Sequence, residues 1–288
     1  MLRSLVGSEM CIRDRARLAQ TDGWQMLQAR FPTFRVMQED GWAGLRDLNG
    51  NIMQESLFSL RENLLLEQPQ SQTNVLVSLT QAAPDGGDSL LVSAVKRLSD
   101  RLGITVQQAA HAWVDAYCQQ VLKPLFTAEA DYGLVLLAHQ QNILVQMLGD
   151  LPVGFIYRDC QGSAFMPHAT EWLDTIDEAQ AENIFTREQL LRYFPYYLLV
   201  NSTFAVTAAL GAAGLDSEAN LMARVRTLLA EVRDQVTHKT CLNYVLESPY
   251  WNVKGNFFCY LNDHNENTIV DPSVIYFDFA NPLQAQEV

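Results

Sequence analysis

The stretch Leu134–Gly162, LVLLAHQQNILVQMLGDLPVGFIYRDCQG, constrains this chain more than any other. Two runs of four to eight residues, rich in Ile, Val, Leu and Phe, flank Gly149-Asp150-Leu151-Pro152, and this is the pattern of a buried β-hairpin. The polar residues fall into two groups: His139, Gln140, Gln141 and Asn142 on the first arm, and Arg158 and Asp159 on the second. A four-residue loop sets Leu148 against Val153, makes each facing pair sum to 301, and so sets Asn142 against Asp159. Facing residues share one side of a sheet, which predicts an amide beside a carboxylate. These are hard oxygen donors of the kind Mg²⁺ takes alongside nucleotide phosphates. Strict alternation puts His139 and Gln141 on the other face from Asn142. Three arrangements remain open: the strand ends near His139, a bulge re-aims these side chains, or they serve the opposite face.

Charge narrows the ligand class. The formal net charge is −13 and no Lys/Arg-rich run occurs, so a nucleic-acid backbone is an unsuitable partner. Anionic small molecules remain suitable, because a few local Arg and Lys side chains suffice for them. The five cysteines, Cys11, Cys118, Cys160, Cys241 and Cys259, include no CxxC pair and are odd in number, as expected of reduced thiols in a cytoplasmic protein. The scattered histidines give a zinc site no support. Tyr193–Leu215 is uncharged and long enough to span a bilayer, but it contains Pro195, Asn201, Ser202, Thr203 and Thr207. It is read as a buried core helix, with no membrane association.

The rest of the chain predicts a mostly helical α+β protein. Helical spacing covers Arg17–Phe31 and Ser56–Leu65, the latter carrying Arg61-Glu62-Asn63. Phe34–Met37, Trp42–Leu45 and Asn74–Leu79 read as strands. Ala83-Pro84-Asp85-Gly86-Gly87-Asp88 is the clearest break, and the domain junction is placed there. Beyond it an amphipathic helix runs over Ser89–Leu102 and another from Thr105 to about Phe126, kinked or ended by Pro124. Glu178–Phe185 reads as helical, Thr186-Arg187-Glu188-Gln189 as a capping box opening a long helix, and Ser217–Val236 as a further helix. Lys254–Leu261 reads as a strand. The opening residues, MLRSLVGSEMCIRDR, form no signal peptide. The string SLVGSEMCIRD resembles translated sequencing-adapter read-through, and it is expected to pack against nothing.

The string AHQQN, followed seventeen residues after its Asn by the Asp of RDCQG, resembles the nucleotide-binding core of the IucA/IucC family of NRPS-independent siderophore synthetases. The family pattern is A/G-H-x-Q-N and then R-D-x-x-G, matched here by His139, Gln141, Asn142, Arg158, Asp159 and Gly162. Trp251-Asn252-Val253-Lys254, the run Asn256–Leu261 and Asn281-Pro282-Leu283 resemble the family's closing segment. The resemblance covers about Asp100 to Leu283, and more faintly Phe34 to Gln81. Family members are about twice this length. The resemblance therefore implies a C-terminal fragment, divided into residues 1–15 (non-native), 16–88 (remnant of a fingers-like, β-containing domain) and 89–288 (palm-like C-terminal domain around the hairpin).

The resemblance also implies chemistry. The family joins citrate or another polycarboxylate to an amine, hydroxylamine or alcohol. ATP adenylates the carboxylate and releases pyrophosphate, and the nucleophile then displaces AMP. Asp159, with Asn142, is implied as the Mg²⁺ ligand set, with His139 and Gln141 contacting phosphates or the adenylate. Arg158 either pairs with a carboxylate or forms an ion pair in the core, and Lys254 either contacts substrate carboxylate or is an ordinary exposed lysine. The family's upstream Ser, Thr, Arg and Lys residues that grip ATP phosphates have no counterpart here, so the fragment alone is expected to be inactive. A homodimer is implied for the full-length protein. The rival readings are a kinase-like phosphotransferase, which lacks its HxD and Gly-rich loop here, and a ferric-siderophore reductase, whose iron–sulfur ligation needs clustered thiolates.

Overall fold

The central hairpin closes more tightly than a four-residue loop allows. In the computed structural model, which describes residues 22–37, 39–63, 72–158, 163–171, 183–255, 261 and 275–284, Leu148 pairs with Leu151 rather than Val153. Gly149 and Asp150 alone make the turn, with φ of 55° and 67°. A two-residue type I′ hairpin turn requires the left-handed region at both central positions. The register then shifts at a bulge: Met147 pairs with Pro152 and Gln146 with Gly154, leaving Val153 as the extra residue. Beyond the bulge Ile143 pairs with Tyr157, and the Arg158 amide donates to the Asn142 carbonyl at 3.0 Å. The predicted Asn142–Asp159 pairing is thus corrected to Asn142–Arg158. Asp159 itself lies outside the described residues, as do Gly162, Met1–Arg15 and most of the predicted segments Glu178–Phe185 and Lys254–Leu261.

In chain order, α1 (Asp22–Arg30) leads into β1 (Phe34–Val36), β2 (Glu39–Ala43), β3 (Phe58–Arg61) and β4 (Gln72–Val75). Then come α2 (Leu76–Thr80), α3 (Leu90–Leu102), α4 (Val106–Tyr117) and α5 (Lys123–Tyr132). β5 (Leu134–Leu136), β6 (Ile143–Leu148), β7 (Leu151–Tyr157) and β8 (Ser163–Phe165) follow. The remainder is α6 (Arg187–Pro195), α7 (Phe204–Ala212), α8 (Glu218–Gln235), α9 (Thr240–Glu247), β9 (Tyr250–Lys254) and β10 (Tyr276–Ala280). The fold is mixed α+β and mostly helical.

The hairpin β6–β7 forms the middle of a four-stranded sheet ordered β1-β7-β6-β4, in which β1 runs parallel to β7 and the other pairs are antiparallel. β1 approaches closely because Gly154 has no side chain. A Cβ there would come 2.8 Å from the Thr33 carbonyl oxygen, the atom that accepts the Phe155 amide at 3.1 Å. Phe34 and Phe155, paired in register, then stack at 4.7 Å. The break at residues 83–88 therefore falls between elements of one packed unit. β1 and β4 before it hydrogen-bond to β7 and β6 after it, and Leu27, Phe34, Leu76 and Leu79 lie in the same apolar core as the later helices.

Three further expectations change. The predicted strand Asn74–Leu79 gives way after Val75 to helix α2. Phe58–Arg61 is a strand paired with β2, not part of a helix. Its short alternating run finds a cross-strand partner, and tertiary pairing overrides the weak helical spacing. The helix opened by the Thr105–Gln108 capping box continues beyond the predicted limit near Phe126 to Tyr132, so Pro124 distorts it without ending it. A π-helical stretch, Cys118–Leu122, precedes the proline, with the Lys123 amide reaching back five residues to the Cys118 carbonyl. The wider turn absorbs the donor and space that proline removes. A second π-helical stretch follows Pro195. α6, opened by the predicted Thr186–Gln189 capping box, passes into π-helical Tyr196–Thr203 and then α7, so the long uncharged run is a core helix. No helix among the described residues is long and apolar enough to cross a membrane.

Candidate functional site

The candidate site is the turn that joins β5 to β6, Leu137 to Asn142, with β7 and the π-helical turn as its walls. Its carbonyls are all engaged. The Leu136 and Leu137 carbonyls accept from the Ala138 and His139 amides at 2.8 and 3.0 Å, and the His139 carbonyl accepts from the Asn142 amide at 2.8 Å. The Ala138 carbonyl accepts from Ser202 Oγ at 2.8 Å and the Gln140 carbonyl from the Val77 amide at 3.2 Å. Arg158 closes the series, with Nε on the Gln141 carbonyl at 2.8 Å and its amide on the Asn142 carbonyl. Seven consecutive carbonyls are thus satisfied inside the protein, as buried backbone requires, and the side chains are what the turn offers to a ligand.

Those side chains differ in setting. Gln141 is exposed and His139 is half-buried, its ring tilted against Tyr197 at 6.1 Å. Asn142 is 5% exposed, and no described residue hydrogen-bonds to its carboxamide. The structure therefore brings His139, Gln141, Asn142 and Arg158 together. The strand ends before His139, as one of the three open arrangements had it. Arg158 donates its Nε–H to a carbonyl of the turn.

Lys254 stands at the end of β9, paired with Tyr276 of β10. Tyr276 packs edge-on against Tyr193 and Tyr196, at 5.6 and 6.2 Å, with the Arg192 guanidinium over its ring. It is also a polar neighbour of the Tyr197 phenol. Burial, and then the neighbouring phenols, push the Tyr276 hydroxyl up, and burial does the same to Tyr197, so both stay protonated donors. A line of aromatic contacts thus runs from the Lys254 strand to His139.

Sequence reasoning missed the residues that hold this arrangement: Tyr197, Asn201, Ser202 and Tyr276. The available signal was the polar triplet Asn201-Ser202-Thr203 in the longest uncharged run, where buried polar groups need partners. Among the described residues no group of three His, Cys, Asp or Glu side chains could hold a metal ion.

Residues 111–269 match the family described as ferric iron reductase FhuF-like transporter. The chain is 97% identical, over 274 residues, to the N(2)-citryl-N(6)-acetyl-N(6)-hydroxylysine synthase of Escherichia coli, covering 95% of this chain and 48% of that relative. The synthase of the same name from Vibrio mimicus is 44% identical over 260 residues, covering 88% of this chain and 43% of that protein. Among solved structures, ATP-bound aerobactin synthetase IucA from a hypervirulent pathotype of Klebsiella pneumoniae superposes with a TM-score of 0.86 at 91% identity, over 94% of this chain and 47% of that one. The chain spans about half the length of the curated relatives it matches. It belongs to the FhuF-like family through residues 111–269 and, by its near-identity and its superposition, to the IucA/IucC family of siderophore synthetases.

Proposed function

We propose that this chain forms the palm-like, nucleotide- and metal-facing part of a synthetase that condenses citrate with an amine, hydroxylamine or alcohol in siderophore biosynthesis. The observation that carries the proposal is the 97% identity to a citryl-hydroxylysine synthase, and the geometry of the turn supports it. The reaction has two steps. A citrate carboxylate oxygen attacks the ATP α-phosphorus and pyrophosphate leaves; the nucleophile then attacks the acyl carbon and AMP leaves.

The residues present fit such a site. His139 and Gln141 project from a turn whose carbonyls are all hydrogen-bonded, which favours a set orientation toward phosphates before binding. Asn142 offers an almost buried carboxamide oxygen with no competing donor among the described residues, and that oxygen suits Mg²⁺. Asp159 is proposed as the second, anionic ligand. Mg²⁺ supplies charge neutralisation for the phosphates. Lys254 is proposed to contact a substrate carboxylate from across the tyrosine cluster. We place the protein in the cytoplasm, as a homodimer when full-length, and we assign the remaining ATP-phosphate contacts to residues outside these 288.

Citrate-dependent exchange of labelled pyrophosphate into ATP tests the reading. A full-length synthetase whose matching half is this sequence should show exchange, and the 16–288 chain alone should not. Absence of citrate-dependent exchange in the full-length protein refutes the AMP-forming reaction, and equal exchange in both refutes the division of the site.

A further inference from the structure

We infer that Asn201 and Ser202 of the π-helical turn are positioning residues for nucleotide binding, an inference that rests on the proposed adenylation at the His139 turn. Helix α6 ends at Pro195. Proline provides no amide donor and crowds the carbonyl four residues before it. The helix continues past it as π-helix, with the Phe204 amide bonded five residues back to the Leu199 carbonyl. The widened turn keeps three hydroxyl or amide side chains inside a buried helix, and each has a partner. Thr203 Oγ1 donates to the Leu198 carbonyl at 2.7 Å, which serves the helix itself. Asn201 and Ser202 reach away from the helix.

Both land on the same short turn, on either side of one residue. Asn201 Oδ1 accepts the Gln140 amide at 3.1 Å, and Ser202 Oγ lies 2.8 Å from the Ala138 carbonyl and 3.0 Å from the Tyr197 carbonyl, between which its single proton is shared. His139 is bracketed by these two bonds. Tyr197, four residues before Asn201 and so on the same helix face, lies against the His139 ring. One buried helical turn therefore sets the backbone on both sides of His139 and one face of its imidazole. The same turn carries Tyr196, which packs on Tyr276 beside the Lys254 strand. Neither Asn201 nor Ser202 is offered to substrate; they act through the turn.

The test uses Asn201→Ala and Ser202→Ala in the full-length synthetase, at a temperature where circular dichroism shows both variants folded. Each is expected to raise the KM for ATP in citrate-dependent pyrophosphate exchange about tenfold, with the KM for citrate unchanged, since an orphaned buried partner typically costs about 1.4 kcal/mol or more. Hydrogen exchange supplies a readout independent of activity. The Gln140 amide should be protected in the wild type and in Asn201→Asp, which keeps the acceptor oxygen, and should exchange about tenfold faster in Asn201→Ala. An unchanged KM for ATP in both alanine variants of an active enzyme overturns the inference, as does an unprotected Gln140 amide in the wild type. A wild type without exchange activity but with a protected Gln140 amide overturns the proposed adenylation instead.

Discussion

Arg158 holds the backbone of Asn142, the residue opposite it in the hairpin, through an amide-to-carbonyl bond of 3.0 Å, and its guanidinium reaches one residue further to the Gln141 carbonyl at 2.8 Å. This pairing decides which side chains the turn can present. Through this Nε–H bond Arg158 clamps the turn.

Arg158→Ala should therefore loosen the turn before it affects any charge in the site. The expected loss is about 1–2 kcal/mol of stability, typical for a hydrogen bond from a charged group, together with a raised KM for ATP. Arg158→Lys should recover little, because an ammonium cannot reproduce the directed Nε–H. Chemical denaturation and pyrophosphate exchange on the same preparations check both.

Asp159→Asn in the full-length protein should abolish adenylation while leaving the melting temperature near wild type. The substitution removes a metal-binding charge and keeps the shape, and positioning supplies much of the barrier reduction in such reactions. A Mg²⁺ titration of exchange activity is the measurement. A large fall in melting temperature with activity retained would reassign Asp159 to structural pairing.

Asp150 occupies the left-handed region with φ of 67° and receives Arg97 on one carboxylate oxygen at 2.7 and 3.0 Å, while Arg101 reaches the Gly149 carbonyl. Asp150→Asn should be nearly neutral, because asparagine tolerates this conformation. Asp150→Val should cost about 1–2 kcal/mol, since a β-branched residue is strained there. Urea midpoints of the two variants should separate accordingly.

Glu129, in α5, is 2% exposed with no hydrogen-bond partner on Oε2, and burial, reinforced by Asp131, pushes its carboxyl up to about 8. The folded state therefore keeps a proton that the unfolded chain releases near its ordinary 4.5. With more protons bound when folded, stability falls as pH rises from about 4.5 to about 8 and levels off above that. Glu129→Gln should remove this slope. Its melting temperature should exceed that of the wild type by more at pH 8 than at pH 5, as read by scanning calorimetry at the two pH values.

Several features were legible from residue types alone. Two β-rich runs around Gly149-Asp150 could bury themselves only as a hairpin, and Thr186 with Gln189 announced a helix start through hydrogen bonds made within four residues. AHQQN and RDCQG carried the family resemblance, because residue types and their spacing are readable whatever the surrounding fold. Local signals of this kind need no knowledge of distant neighbours. The exact register did not have this property. A four-residue loop and a two-residue turn with a bulge read alike in sequence, and one residue of slip changes which side chains meet.

What the sequence by itself determined, then, was the set of elements closed by near-neighbour contacts and the chemical identity of the turn. Only tertiary structure decided that Gly154 would admit β1 beside β7, because the oxygen that needs the space belongs to Thr33, far away in the chain. It also decided that Asn201 and Ser202, polar residues in an apolar run, would grip Gln140 and Ala138 some sixty residues earlier. The physical reason is the same in both cases. A buried backbone group must find a partner, and when that partner lies outside its own turn or strand, the packed chain chooses it.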